Sequence, residues 1–350
     1  MRSQNWSENY SQNNWQCRAD RSMSVDSPTS SSSATAKASE ILGPLASRNV
    51  NIGSMTTFRV GGAASLFVEI SNEQQLEILR MAIIESGADV LAIGKGSNML
   101  VADEGFDGIV VVLGMNFMKI GVDQVAEETR SLPSISLVTA GGATSLPVVA
   151  RKTAANGLRG FEWAVGVPGS VGGAVRMNAG GHGSQMADVV TKAKVFDMGI
   201  DGDGKAIWVE NSALEFGYRS SAISENQLVL KAQLSLDKGE VAPCEKRISE
   251  IVAWRREHQP GGQNCGSVFI NPPSRSVGGE EIHAARLIEE AGLKGYRIGT
   301  AHVSTKHANF FQADQGGSAA DLKALIDHVG SVVSDRFGIE LLTEVKMVGF

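Results

Sequence analysis

The stretch GVPGSVGGA (166–174), continued by VRMNAGGHG (175–183), decides how this chain is read. It sets four glycines and a proline in nine residues. A structural turn needs one or two such residues, and each further glycine costs chain entropy. Close approach of backbone to a ligand is therefore the better account of the run. A second segment, GKGSN (94–98), follows the apolar run ADVLAI (88–93), which reads as a buried strand. Its glycines let consecutive N–H groups converge on an anion, and Ser97 and Asn98 add side-chain donors. Taken alone, GKGSN is better read as a tight turn between strands. It is no Rossmann fingerprint, because Met99 stands where the third glycine belongs, and no GxxxxGK[ST] P-loop occurs. Two glycine loops on separate segments suit a dinucleotide pyrophosphate lying between two lobes.

Outward from these loops the pattern is mixed α and β. GIVVVL (108–113), SISLVTA (134–140), VVTKAKVFDM (189–198), KAIWVE (205–210) and LVLKAQLSL (228–236) read as strands. LPVVARKTAANG (146–157), EKRISEIVAWRREH (245–258) and HAARLIEEAG (283–292) read as helices, with Gly157 and Gly292 as stop signals. In SAADLKALIDHVGSVVSDRFG, Leu322, Leu325, Ile326, Val329, Val332, Val333 and Phe337 recur at helical spacing, and Ser318 with Asp321 suggests a capping box. IELLTEVKMVGF (339–350) reads as a final strand that sets Glu344 on one face with Leu342 and Lys346.

Residues 1–40 differ in kind. They are rich in Ser, Asn and Gln without apolar periodicity, so a disordered tail is expected. Met23 is an alternative start, which an intact mass including Met1 would exclude. The net charge of -6 argues against a general nucleic-acid binder. No apolar run approaches the roughly 18 residues that span a bilayer. Three widely separated cysteines, without a CxxC pair, fit a reducing, cytoplasmic setting and speak against a disulfide framework or a zinc site.

Seven motifs occur in order: TTFRVGGAA (56–64), LAIGKGSNMLVADEGFDGIVV (91–111), GLRGFEWAVGVPGSVGGAVRMNAGGHG (157–183), FGYRSS (216–221), CGSVFINP (265–272), AGLKGYRIGTAHVSTKHANF (291–310) and LLTEVKMVG (341–349). Together they resemble the UDP-N-acetylenolpyruvoylglucosamine reductases of peptidoglycan precursor synthesis, in the shorter form without an inserted tyrosine loop. The resemblance implies an α+β protein with a vanillyl-alcohol-oxidase-type FAD-binding fold. Its two FAD-binding lobes fall on 41–115 and 116–240, and a C-terminal substrate domain on 241–350. It also implies NADPH as reductant, a UDP-sugar substrate and a monomer. Some flavoproteins of the wider fold bind flavin through a histidine near the first loop. Here the nearest histidine in sequence is His182, so non-covalent FAD is expected.

Carried over residue by residue, the resemblance implies FAD contacts at Arg59, Gly61, Gly94, Gly96, Ser97, Asn98, Gly166, Pro168, Gly169, Ser170, Gly172, Gly173 and Asn178. It implies catalytic roles for Arg219, Ser267 and Glu344, and substrate contacts at Tyr218, Arg286, Lys306, His307 and Asn309. The chemistry needs such groups: hydride added to a carboxylate-conjugated alkene develops enolate charge, which calls for a cation or acid and a proton donor. Without the resemblance, Arg219 is an ordinary ion-pair residue, Ser267 a turn-capping serine and Glu344 a solvated strand glutamate. The chain departs from the family pattern at Ile270 (often lysine), Thr300 (commonly glycine) and His302 (commonly glutamine). The alternatives are another flavin oxidase of the same fold, or a non-catalytic flavin-binding module. The motifs at 216–221, 265–272 and 341–349 weigh against both.

Overall fold

The computed structural model describes residues 29–124, 135–200, 202–272 and 282–350. A first lobe comprises α1 (Thr29–Leu42), β1 (Ala46–Asn51), β2 (Ala63–Ile70), α2 (Glu73–Ser86), β3 (Val90–Ala92), β4 (Met99–Val101) and β5 (Phe106–Leu113). Its sheet runs β1-β2-β5-β3, with β5 parallel to both β2 and β3. Alternation along β2 sends Leu66, Val68 and Ile70 into a core with Leu76 and Leu79 of α2.

The disordered tail expected through residue 40 is corrected at its end, because residues 29–42 form α1. Ala34, Ala38, Ile41 and Leu42 fall on one helical face, and Ala38 and Leu42 are buried in the first-lobe core. The serine-rich composition hides this narrow stripe. Residues 1–28 lie outside the described residues.

The second lobe comprises β6 (Ile120–Gln124), β7 (Ile135–Gly141), α3 (Leu146–Ala154), β8 (Leu158–Arg159), α4 (Val171–Arg176), β9 (Gly180–Gly181), β10 (Ser184–Gln185), β11 (Val190–Asp197), β12 (Ala206–Glu210) and β13 (Gln227–Lys238). Its antiparallel sheet has the order β12-β11-β13-β7-β6. Helix α5 (Val241–His258) follows, and it moves the expected boundary at residue 240. Cys244, Ile248 and Ile251 pack into the second-lobe core with Phe161 and Trp163, so the helix belongs to that lobe.

The third part holds α6 (Ala284–Glu290), β14 (Arg297–Ile298), β15 (Ala301–Val303), β16 (Phe311–Ala313), α7 (Ala319–Phe337) and β17 (Lys346–Val348). The stripe Leu322, Leu325, Ile326, Val329 and Val333 of α7 is buried, as its spacing requires. The capping box is only half formed. Ser318 Oγ accepts from the Asp321 amide (3.3 Å), but the Asp321 carboxylate turns instead to the Thr300 amide and hydroxyl (2.7 Å each).

The final strand is shorter than expected. Only 346–348 forms a ladder, parallel to β4 in the first lobe, while Ile270 N donates to Leu342 O (2.9 Å) and Glu344 N to Val268 O (2.8 Å). Glu344 therefore lies on a seam between the first lobe and the third part. A second tie crosses the same seam: Asp103 accepts from Ser318 Oγ (2.7 Å), Ala319 N (2.9 Å) and Ala320 N (3.0 Å) at the start of α7. Partial burial works against the charge, yet the three hydrogen bonds hold the carboxyl below its ordinary range. Asp103→Ala is expected to cost about 1 kcal/mol, as loss of a helix cap does, read as a lower denaturant midpoint. The cap is fully present above the ordinary aspartate pKa and is lost as pH falls through the lowered value.

Candidate active site

A cleft of 310 Å³ is lined by residues from all three parts, including both glycine loops and Arg219, Ser267 and Glu344. The 94–98 loop joins β3 to β4, and the 166–170 segment leads into α4. The two loops touch. A Cβ on Gly94 would stand 2.3 Å from Ser170 Oγ, so only glycine allows the approach. Ser170 is buried as the N-cap of α4, its Oγ accepting from Gly173 N (3.3 Å). The amides of Gly94, Lys95, Gly96, Ser97, Gly169 and Ser170 donate to no other described residue. Unspent N–H groups converging from two segments fit the pyrophosphate of a dinucleotide such as FAD. Ala92, Val111, Leu113, Ala143, Leu228 and Val229 supply apolar walls to the same cleft.

Arg219 and Glu344 come from opposite ends of the chain. Arg219 Nε donates to Glu344 Oε1 at 2.8 Å, and both side chains are largely buried. Arg219 takes φ 56° in a tight turn closed by Gly217 and Ser220, and its guanidinium lies over the Tyr218 ring at 5.1 Å. No other described residue takes its Nη donors. Burial pushes the Glu344 carboxyl above the ordinary glutamate range and outweighs the opposing pull of Arg219. Ser267 precedes Val268, whose carbonyl receives the Glu344 amide, so serine and glutamate are held on adjacent backbones. Beside them the buried Cys265 thiol is pushed up by burial and by Glu344.

Of the expected cofactor residues, Gly94, Gly96, Ser97, Asn98, Pro168, Gly169, Ser170, Gly172 and Gly173 line the cleft. Four do not. Arg59 is exposed on the Thr56 turn. Gly61, at φ 106°, is glycine because a Cβ would meet the Val101 carbonyl at 2.2 Å. Gly166 packs beneath Arg255 of α5. Asn178 is 1% exposed, and its amide is spent on Gly217 O (2.8 Å), Gln185 Oε1 (3.1 Å) and Ala187 N (2.9 Å).

The expected substrate residues also lie off the cleft. Tyr218 supports Arg219 from outside it. Arg286 pairs with Glu290 along α6 (2.7 Å). The Lys306 ammonium donates to Arg256 O in the last turn of α5 (2.6 Å). His307 packs against Phe310 (4.5 Å), and burial holds its pKa down, with Lys294 assisting. Asn309 is buried and bonds both backbone groups of Phe269. Among the departures from the family pattern, Thr300 serves the start of α7, its Oγ1 accepting from Ser318 N (2.9 Å).

Besides Arg219 and Lys95 of the first glycine loop, two cations line the cleft, and neither was given a role although both lie inside the quoted motifs: Arg176 (157–183) and Lys346 (341–349), both paired with Glu225. The strand alternation that set Lys346 on the face of Glu344 was one available signal, and the position of Arg176 in VRMNAGGHG, beside the second glycine loop, was the other.

Known proteins match the same regions. The C-terminal domain model of UDP-N-acetylenolpyruvoylglucosamine reductase matches residues 258–348, and an FAD binding domain model matches 48–210. The start at 258 agrees with α5 belonging to the second lobe. A UDP-N-acetylenolpyruvoylglucosamine reductase of Anoxybacillus flavithermus is 38% identical over 304 residues, 86% of this chain and 93% of that one. The Bacillus subtilis reductase is 36% identical over the same shares. The crystal structure of the Thermus caldophilus reductase superposes with a TM-score of 0.69 at 30% identity, covering 86% of this chain and 98% of that one. The chain belongs to the UDP-N-acetylenolpyruvoylglucosamine reductase family and is an FAD-dependent oxidoreductase.

Proposed function

We propose that the protein reduces UDP-N-acetylglucosamine enolpyruvate to UDP-N-acetylmuramate with NADPH as reductant, a step of peptidoglycan precursor synthesis. One observation carries the reading. A guanidinium with unspent Nη donors, a serine hydroxyl and a buried carboxyl meet in the cleft that both glycine loops line. FAD, when bound there, supplies hydride to the terminal vinyl carbon. Arg219 presents its fork to the substrate carboxylate and stays charged while enolate character builds. Ser267 Oγ gives its proton to the carbon bearing that carboxylate, so hydride and proton together saturate the double bond. A serine hydroxyl is a weak acid, so it serves only once bound substrate excludes water from the cleft. Glu344, beside Arg219, acts in its neutral form as a hydrogen-bond donor to the developing charge.

The raised Glu344 pKa sets a pH signature. A carboxylic acid needed neutral is lost as pH rises through its raised value, so turnover declines there. Glu344→Gln, permanently neutral, is expected to lower turnover while flavin affinity holds, and to flatten that decline. An unchanged pH profile would remove Glu344 from the reaction. The flavin is expected to be non-covalent, since His182 packs on Trp254 (5.1 Å). Denaturation should release free FAD, and flavin retained on the polypeptide would contradict this.

The test of the whole reading is NADPH oxidation without oxygen. Purified holoenzyme given NADPH and the enolpyruvyl UDP-sugar is expected to consume both in equal amounts. Bound flavin with no turnover would favour an oxidase or a non-catalytic module.

A further inference from the structure

The side chains assigned to catalysis sit on three irregular segments. Arg219 is in the 217–220 turn, Ser267 in the loop after α5, and Glu344 in the run before β17. None lies within a named helix or strand, so no regular backbone ladder fixes its direction. Arg219 also holds a positive φ, which a side-chain-bearing residue keeps only when its surroundings enforce it.

Each segment is tied by an asparagine from elsewhere in the chain. Asn178 Nδ2 donates to Gly217 O (2.8 Å), two residues before Arg219. Asn309 accepts from Phe269 N through Oδ1 (2.9 Å) and donates to Phe269 O through Nδ2 (2.8 Å), two residues after Ser267. Asn98 Nδ2 donates to the carbonyl of Glu344 itself (2.8 Å), and its own carbonyl accepts from Lys346 N (3.1 Å). A primary amide carries a donor and an acceptor on a short stem, so it can stand in for a peptide group and clamp a loop. Asn178 and Asn309 are buried polar side chains, and the bonds just described occupy the amides.

We propose that Asn98, Asn178 and Asn309 are positioning residues, which respectively aim Glu344, Arg219 and Ser267, and that Asn178 and Asn309 do so in place of ligand contacts. Asn98 has a second consequence. It stands in the first glycine loop, so the loop that cradles the cofactor also sets the carboxyl facing the substrate. The inference rests on the reductase reading.

The experiment separates the two half-reactions of the holoenzyme by stopped flow: flavin reduction by NADPH, then anaerobic reoxidation by the enolpyruvyl UDP-sugar. Asn178→Ala and Asn309→Ala are each expected to slow reoxidation about 10- to 100-fold while reduction stays within roughly twofold, as loss of an outer supporting partner does, and Asn98→Ala, in the cofactor loop, is expected to slow reoxidation more than it slows reduction. Each is then combined with the residue it serves, in Asn98→Ala/Glu344→Gln, Asn178→Ala/Arg219→Lys and Asn309→Ala/Ser267→Ala. A residue that acts only through its partner adds little once the partner is altered, so each double variant should reoxidise no more slowly than its catalytic single variant.

Reoxidation at the wild-type rate, equal slowing of both half-reactions, or multiplicative slowing in the double variants would overturn the proposal. If an alanine variant does not fold, the aspartate variant keeps the size and an acceptor oxygen and replaces the donor with a charged acceptor. It is judged by the same outcomes. Wild-type holoenzyme that the enolpyruvyl ether cannot reoxidise counts against the reductase reading. Normal wild-type turnover with unaffected asparagine variants counts against this inference alone.

Discussion

Ser267→Ala is expected to leave FAD bound and reducible by NADPH while turnover with the enolpyruvyl UDP-sugar falls by about 10²- to 10⁴-fold, the range for loss of a general acid. The substitution removes one hydroxyl and spares the backbone that organises the segment. Val268 N still donates to Asn309 O (2.9 Å), and Phe269 keeps both bonds to the Asn309 amide. The glycine loops lie on other segments, so flavin affinity has no reason to change. Hydride addition without a proton leaves an enolate that must revert or wait for solvent, and the loss should therefore appear in kcat with KM little changed. Turnover within several-fold of wild type would show that another group supplies the proton.

Arg219→Ala is the second large effect, expected to lower turnover about 10²- to 10³-fold, as loss of a preorganised charge at an oxyanion does. Two things are lost at once. The substrate carboxylate loses its guanidinium fork, and Glu344 loses the one group that draws its pKa down. With burial alone acting, the Glu344 carboxyl keeps its proton to still higher pH, so the decline in turnover should move upward in this variant. Arg219→Lys retains the charge and loses the fork, and should recover only part of the rate. Loss of FAD from Arg219→Ala would instead make the arginine a structural residue of the 217–220 turn.

Much of the fold was legible because its signals are local. The α7 stripe and the strands at 88–93, 108–113 and 189–198 follow from periodicity, and the two glycine loops from their composition. What escaped depends on distance in the chain. The α1 stripe is narrow and built partly from alanine, so a serine-rich composition masked it. Helix α5 gives no hint in sequence that Cys244, Ile248 and Ile251 face the second lobe. The last strand is cut short because residues 342 and 344 bond to 270 and 268 instead of a ladder partner.

The candidate site divides the same way. Arg219, Ser267 and Glu344 became candidates only through the family resemblance, since an isolated arginine, serine or glutamate carries no chemistry of its own. The glycines of both loops were readable from the backbone demand they impose. Asn178 and Asn309 were assigned to ligands, and the structure turns their amides to protein backbone. Motif membership marks a residue as needed near a site. It does not say whether the side chain faces the ligand or the residue beside it.

The most direct measurement of the account is a single anaerobic turnover. Holoenzyme is reduced with one equivalent of NADPH and then mixed with one equivalent of the enolpyruvyl UDP-sugar. The visible flavin absorbance is expected to return without oxygen, with UDP-N-acetylmuramate formed in equal amount. A flavin that stays reduced until oxygen is admitted, with the enolpyruvyl ether intact, would contradict it.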